Sequence, residues 1–459
     1  MKLLLPLLAV ALVCSTTNAA TPKYLLKTEL PSGTTSHVTV KVEIGGDKLI
    51  PTESEGEKKL PIKVLGNFDY QEQIVAWTQE PTEVARSIRD YKAIVAKNDV
   101  AEESFTVTHP DDSQLILAET RDGLSIVTGG ESNLTREQED LINVEANTLA
   151  IDRLLPGREL AEGESWTHDA ATIGALLCMD HVGVCEVSSV VAGESNRQVQ
   201  IRLAGTVHGT VEGTPSEREL RAAYLFHLDE KRITRFNLAI QEIRKPNDVV
   251  AGLDVVAKAF VSIDPVKESF KVPAKIKQVA ERTNLPLSRT LVYESPTKQF
   301  CFNYDDRWYI TAEDRERISF RYLQNHEAVA NCIVSVLPSR SAGRHTSLEQ
   351  FERDVRTLID KQLETVSQST EWDTKAGLHC LGVIAEGQVK EIPMQWRHYL
   401  VAADDCPRLS LAVSLEQAQV STFADADRPL IESIELSPSS PGADAYGSPT
   451  ASKEQTISR

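Results

Sequence analysis

The densest group of residues with ligand or redox chemistry is Cys178-Met179-Asp180-His181-Val182-Gly183-Val184-Cys185. Two thiolates and an imidazole suit zinc, and Asp180 could add a fourth donor. Structural zinc normally shows a complete ligand set, which this segment lacks. The expectation is therefore a disulfide between Cys178 and Cys185 with His181 at the loop tip. Closing so short a loop is worth about 2–3 kcal/mol in the chain-entropy view. Four further cysteines, Cys301, Cys332, Cys380 and Cys406, are candidates for bonds within the second half of the chain. Their connectivity is open from sequence alone.

Other reactive groupings are weaker. Glu164-Ser165-Trp166-Thr167-His168-Asp169 gathers Ser, His and Asp, but triads assemble from separated segments. His398, two residues after Trp396, could act as a base; a core histidine with a satisfied hydrogen bond is the simpler expectation. Asp425-Ala426-Asp427 lacks the glycine and terminal Glu of a calcium loop. It stands where a helix should start, and acidic residues there favour the macrodipole. Asn133-Leu134-Thr135 matches a glycosylation sequon. No nucleophile elbow, zinc-protease helix, phosphate loop or dinucleotide fingerprint occurs. No catalytic, cofactor-binding or metal-binding residue is assigned, no cofactor is expected, and the expectation is a chain that is not an enzyme.

Composition narrows the partners. Acidic residues outnumber basic ones 67 to 49, a formal charge of −18, which argues against nucleic acid. Lys2, the apolar run Leu3 to Val13, and small residues up to Ala20 have the form of a signal peptide, residues 1–20. The run is too short to span a bilayer, and no later stretch is long and apolar enough. The mature chain is expected to have no transmembrane segment and to reside in the periplasm, cell envelope or extracellular space. Loss of Cys14 with the signal leaves an even number of cysteines, as an oxidising compartment favours.

These groups need elements to hold them. Val38, Val40, Val42 and Ile44 alternate with polar residues, the period of a half-buried strand. Ile62 to Trp77 should hold one or two strands, and Ala85 to Ala96 leans to strand. Gln114 to Val127 reads as a hairpin turning at Asp122-Gly123. Thr135 and Gln138 have the form of a capping box before a short helix. From Glu164 to Ile243 long alternating runs return, with a turn at Asp229-Glu230-Lys231. Residues 21–264 therefore form an antiparallel β-rich domain with a curved sheet. Its pattern resembles the half-barrel modules of envelope lipoproteins. Residues 265–290, with their prolines and charges, read as a linker with a short helix from Ala274 to Arg282. Residues 437–459 are rich in Ser, Pro, Ala and Gly and read as a disordered tail.

Residues 291–436 form the second unit. Phe300, Phe302 and Tyr304 alternate on a strand, and Asp305-Asp306-Arg307 turns into Trp308. Ile318 to Tyr322 and Asn331 to Leu337 follow as strands. Ser347 and Gln350 cap a helix whose apolar stripe is Leu348, Phe351, Val355, Leu358, Ile359, Leu363 and Val366. Strands at Leu378 to Glu386, Glu391 to Ala402 and Leu409 to Leu415 form a meander, and Phe423 to Ser433 closes the unit as a helix. The segments FCFNYDDRW, NCIVSVLP followed by SLEQF, and Phe423 to Ile434 resemble the PsbP-like fold, shared with the Mog family of Ran-binding proteins. The resemblance implies a docking or scaffold domain and carries no site residue. The four cysteines depart from the family's usual pattern and suggest a disulfide-stapled version.

The fold class expected is α+β, a curved antiparallel β module followed by a PsbP-like α/β sandwich. The function expected is docking or scaffolding of a protein partner that the sequence does not identify. The alternative is carriage of a lipid or other apolar ligand in the concave face of the β module, lined by Val38, Val40, Val42 and Leu225. A hydrolase is a third possibility, and it needs a nucleophile beside a histidine in an open cleft.

Overall fold

Alternation of apolar and polar residues governs nearly the whole chain, and the computed structural model is built mostly of antiparallel strands. It describes residues 22–51, 57–108, 115–211, 213–246, 251–267, 270–282, 289–324, 327–339 and 346–437. The expected signal peptide and nearly all of the expected tail lie outside the described residues.

In the first half the strands are β1 (Lys23–Leu25), β2 (Thr35–Pro51), β3 (Glu57–Ala76), β4 (Ala85–Val100), β5 (Glu103–Thr108), β6 (Leu115–Arg121) and β7 (Leu124–Gly129). Helices α1 (Arg136–Ile142) and α2 (Thr148–Ile151) follow, then β8 (Glu159–Ala161), β9 (Ser165–Thr167) and α3 (Ala170–Leu176). Five long strands come next: β10 (His181–Ser195), β11 (Gln198–Val211), β12 (Thr214–His227), β13 (Arg232–Arg244) and β14 (Gly252–Pro265). One 12-stranded sheet takes the order β7-β6-β4-β3-β2-β14-β13-β12-β11-β10-β9, with β5 also paired to β4. Ile62 to Trp77, expected to hold one or two strands, falls almost wholly on the single strand β3. The turn between β6 and β7 places Asp122 and Gly123 at φ 51° and 81°, as a tight hairpin requires.

The period of two gives this sheet one apolar face. On β12, Leu220, Ala222, Tyr224 and Phe226 are buried while their neighbours face outward. Leu225 therefore points away from the concave face, and the sequence expectation for it is corrected: it is one residue out of phase. Helices α2 and α3 fill part of the concavity. Their Leu149, Ile151, Ile173 and Leu176 join Val38, Val40, Tyr224 and Phe236 in one core. A polar network fixes α2 beneath the sheet. Glu72 accepts from Arg89 Nε at 2.9 Å, Ser87 Oγ at 2.8 Å and Thr148 Oγ1 at 2.8 Å. A buried carboxylate so surrounded is satisfied, which is the condition for tolerating it.

Helix α4 (Ala274–Ala280) lies in the expected linker and buries Ile276 and Ala280 against Ile88 and Leu117 of the large sheet. The second half comprises β15 (Thr290–Glu294), β16 (Phe300–Asp305), β17 (Trp308–Glu313), β18 (Arg317–Gln324), β19 (Glu327–Leu337), α5 (Leu348–Ile359), β20 (Leu363–Asp373), β21 (His379–Val389), β22 (Ile392–Ala402), β23 (Arg408–Glu416), α6 (Val420–Phe423), α7 (Arg428–Glu432) and β24 (Glu435–Leu436). A 7-stranded sheet runs β17-β18-β19-β23-β22-β21-β20, beside a 3-stranded sheet of β15, β16 and β24. Ser347 caps α5 as its sequence predicts. The helix stops at Ile359, and Leu363 and Val366 belong to β20 instead. Leu358 is 71% exposed, outside the stripe. The expected closing helix is two short ones, α6 and α7.

Candidate ligand-binding site

The concave face is not filled along its whole length. Register aligns Val42 with Gly66, Gly66 with Ala96, and Ala96 with Val107, so four strands contribute one row. Ile44, Val64 and Asn98 form the next row. These residues floor a cavity of about 570 Å³. That lies within the range of roughly 300–1,000 Å³ typical of small-molecule sites. Gly66 deepens the floor: a Cβ there would come within 3.0 Å of the Phe68 ring.

Helix α1 is the roof. Its capping box is complete, with Thr135 accepting from Gln138 N and the Gln138 side chain accepting from Thr135 N at 3.0 Å. The helix places Glu137, Asp140 and Leu141 over the floor, and Val144 and Glu145 follow. One end of the trough is ionic. Glu242 accepts from Ser216 Oγ at 2.8 Å and from Arg244 Nη2 at 2.8 Å, and pairs with Arg218 at 3.1 Å. Burial opposes its ionisation, but the two guanidinium groups outweigh that and hold its pKa below the usual carboxylate range.

A second space of about 570 Å³ continues from the first and shares Val64, Arg136, Glu137, Asp140, Arg244 and Tyr309 with it. Ile310 and Glu313 of β17 line this part, so both halves of the chain contribute walls. The join beside it is charged. Glu139 is 2% exposed and pairs with Arg136 and Arg289; Arg289 Nε also reaches Asp306 at 2.7 Å. Arg136 Nη2 donates to the Asp306 carbonyl at 2.7 Å, and its guanidinium lies 4.9 Å from the Tyr309 ring centroid.

Of the sequence-chosen residues, Val42, Cys178 and Asp180 line the trough, and the others fall elsewhere. All six described cysteines are free thiols, so the expected disulfides are corrected. Cys178, at φ 51° just after α3, turns its Sγ to the Val144 carbonyl at 3.3 Å. Cys185 on β10 instead faces the His168 carbonyl at 3.8 Å. Cys332 and Cys380 are buried on β19 and β21, which are not neighbours in the sheet. Cys301 lies beside Glu435, and Cys406 is buried in the turn before β23. Burial pushes the Cys178 and Cys380 thiols up to about 12. Among the described residues no cluster of His, Cys, Asp and Glu is arranged to hold a metal.

His168 does find a serine, though not Ser165. Its Nε2 is 2.7 Å from Ser189 Oγ, which is 2.9 Å from Tyr224 OH. Ser189 is 1% exposed and belongs to the sheet interior, so no substrate can reach it as a nucleophile. Asp169 caps α3 through Thr172 rather than orienting the imidazole. Only the register of β10 with β9, which seats Ser189 opposite Trp166, could have revealed this pairing.

His398 is buried on the β22 face that packs α5, and its Nε2 has no partner among the described residues. The expected satisfied hydrogen bond is thus corrected. Burial lowers its pKa to about 4. Asp427 stands at the α7 N-cap without a side-chain cap bond. It accepts instead from Tyr399 OH at 2.6 Å and Arg397 Nη1 at 3.2 Å.

No family model matches the chain, and no curated protein does. Solved structures give faint likenesses. The Ran-binding protein Mog1p of Saccharomyces cerevisiae is 6% identical, with TM-score 0.26, covering 32% of this chain and 96% of that one. PsbP (CyanoP) of Synechocystis sp. PCC 6803 is 14% identical, with TM-score 0.26, covering 35% and 99%. Lipovitellin is 9% identical, with TM-score 0.31, covering 53% of this chain and 27% of its own length. At such identities and scores none of the three assigns a family or an activity. Among the described residues no helix is long and apolar enough to cross a membrane.

Proposed function

We propose that this chain is an exported carrier that holds an apolar ligand in the trough between the concave sheet and α1. The observation that supports the reading is the floor itself. Val42, Ile44, Val64, Phe68, Ala96 and Val107 line this cavity, although the same face is filled by helices a few residues along each strand. Burying a ligand against such a floor gains about 25 cal/mol per Å² of apolar surface removed from water. The ion-paired end and the exposed Glu137 and Asp140 suit a ligand whose other end is polar. The reading treats the architecture as α+β, with residues 291–436 a PsbP-like unit that closes one end of the trough.

The test is titration of the mature protein with a fluorescent fatty acid, in the wild type and in Asn98→Trp. Asn98 lies on the floor and is only partly buried, so an indole there occupies the trough at little cost to the core. Saturable binding that falls at least about tenfold in the variant supports carriage, a loss of roughly 1.4 kcal/mol. Equal binding by both proteins, or none by either, contradicts it.

Docking of a protein partner is the second reading, favoured by the edge strand β20. Among the described residues its 11 residues pair only with β21, which leaves its other side open. An open edge of that length is a template for strand addition.

A further inference from the structure

A separate cavity of about 410 Å³ shares no lining residue with the trough; Gln79, Arg153, Arg158, Trp166, His168 and Asp169 form much of its wall. Its arginine is unusual within this chain. Every other buried arginine among the described residues has a carboxylate at ion-pair distance: Arg86 with Glu119, Arg89 with Glu72, Arg218 and Arg244 with Glu242, Arg232 with Asp152, and Arg397 with Asp427. Arg153, 5% exposed, has none among the described residues.

Its guanidinium is held by neutral acceptors. Nε donates to the Thr78 carbonyl at 3.1 Å, Nη1 to the Pro81 carbonyl at 3.3 Å and Thr120 Oγ1 at 3.0 Å, and Nη2 to the Glu83 carbonyl at 2.8 Å. One Nη2 hydrogen is left over, and carbonyl dipoles compensate a buried cation only in part. Desolvation lowers its pKa to about 10, as an under-compensated charge requires. Asp169 does not supply the missing anion by contact, since both its oxygens accept from Thr172. Arg158 is exposed at the wall and has no carboxylate partner among the described residues. The buried Gln79 Oε1 lacks a donor. His168, neutral because burial lowers its pKa to about 4, is fixed by Ser189.

We propose that this cavity binds a small organic anion, whose carboxylate or phosphate pairs with Arg153 and Arg158 and whose hydroxyl donates to Gln79. Trp166, anchored by its indole N–H on the Leu154 carbonyl at 2.9 Å, supplies a rigid wall for the carbon skeleton.

Calorimetric titration of the full chain with lactate and, separately, with glycerol phosphate, at matched chloride ionic strength, tests this. Saturable binding of either supports the site, and which one binds identifies the anion. Arg158→Ala should weaken it by about threefold, as loss of an exposed partner does. Arg153→Met should weaken it by more than about thirtyfold, as loss of a buried one does. Should Arg153→Met fail to fold, the His168 imidazole resonance in the wild type replaces it: the bound anion should raise the histidine's pKa. Absence of saturable binding, or binding with Arg158→Ala unaffected and His168 unmoved, overturns the proposal.

Discussion

Arg289 and Glu139 lie 150 positions apart in the chain, yet their side chains form an ion pair at the join between the large sheet and the C-terminal strands. Arg289 extends the pair to Asp306, and Arg136 completes it from α1. This cluster fixes the helix that roofs the trough to the turn that leads into β17. The wall of the proposed site is therefore held by contacts between distant segments.

Removing one member leaves the others buried and unbalanced. Arg289→Ala should cost about 3–5 kcal/mol, the usual result of breaking a buried pair from one side. Urea unfolding read by tryptophan fluorescence checks it. A loss below about 1 kcal/mol would place the cluster in solvent-screened surroundings.

The roof also depends on its cap. Thr135→Ala removes the bond to Gln138 N and should destabilise the protein by about 1 kcal/mol. Amide exchange of residues 136–142 should quicken more than that of β11 or β12, whose alternating residues are deeply buried.

His398 gives a pH signature. Its folded pKa, about 4, lies below the ordinary histidine value of about 6.5, so the unfolded chain binds the proton more readily. Its contribution to stability is complete above pH 6.5 and falls as the pH drops towards 4, by roughly 2–3 kcal/mol. Glu242 acts in the same direction at lower pH, because its carboxyl is held down by Arg218 and Arg244. His398→Leu should remove about half of the loss between pH 6.5 and 4, because His168, also lowered to about 4 by burial, contributes the rest, while leaving the steeper fall below it. An unchanged slope in the variant would show that His398 is solvated.

The thiols are equally checkable. Labelling of the denatured protein without reductant should modify Cys178, Cys185, Cys301, Cys332, Cys380 and Cys406. In the native state Cys301, half-buried near the start of β16, should react first, while Cys332 and Cys380 stay protected. Any pair that resists labelling until reduced would restore the disulfide expectation for that pair.

Local signals in the sequence were reliable wherever local physics decides the outcome. The alternation of Val38 to Ile44, the Asp122-Gly123 turn and the Thr135 and Ser347 caps all appear in place. α5 ends earlier than its sequence predicts because Leu363 and Val366 keep helical spacing while tertiary pairing with β21 draws them into a strand. Leu225 differs from its sequence expectation by a single residue of phase, which on a strand inverts every side chain. The trough was legible only as alternating apolar residues on separate strands. Its roof and ionic end depend on Arg218 and Arg289, whose partners Glu242 and Glu139 are remote in sequence. The same holds for His168, which meets Ser189 through strand register rather than meeting its sequence neighbours.

Native mass spectrometry of the mature protein, purified gently from its own source, tests the central claim most directly. The account predicts an excess mass of lipid size, lost on denaturation and missing from Asn98→Trp prepared the same way. A clean polypeptide mass, together with failure of added fatty acid to produce a one-to-one complex, would contradict carriage in the trough.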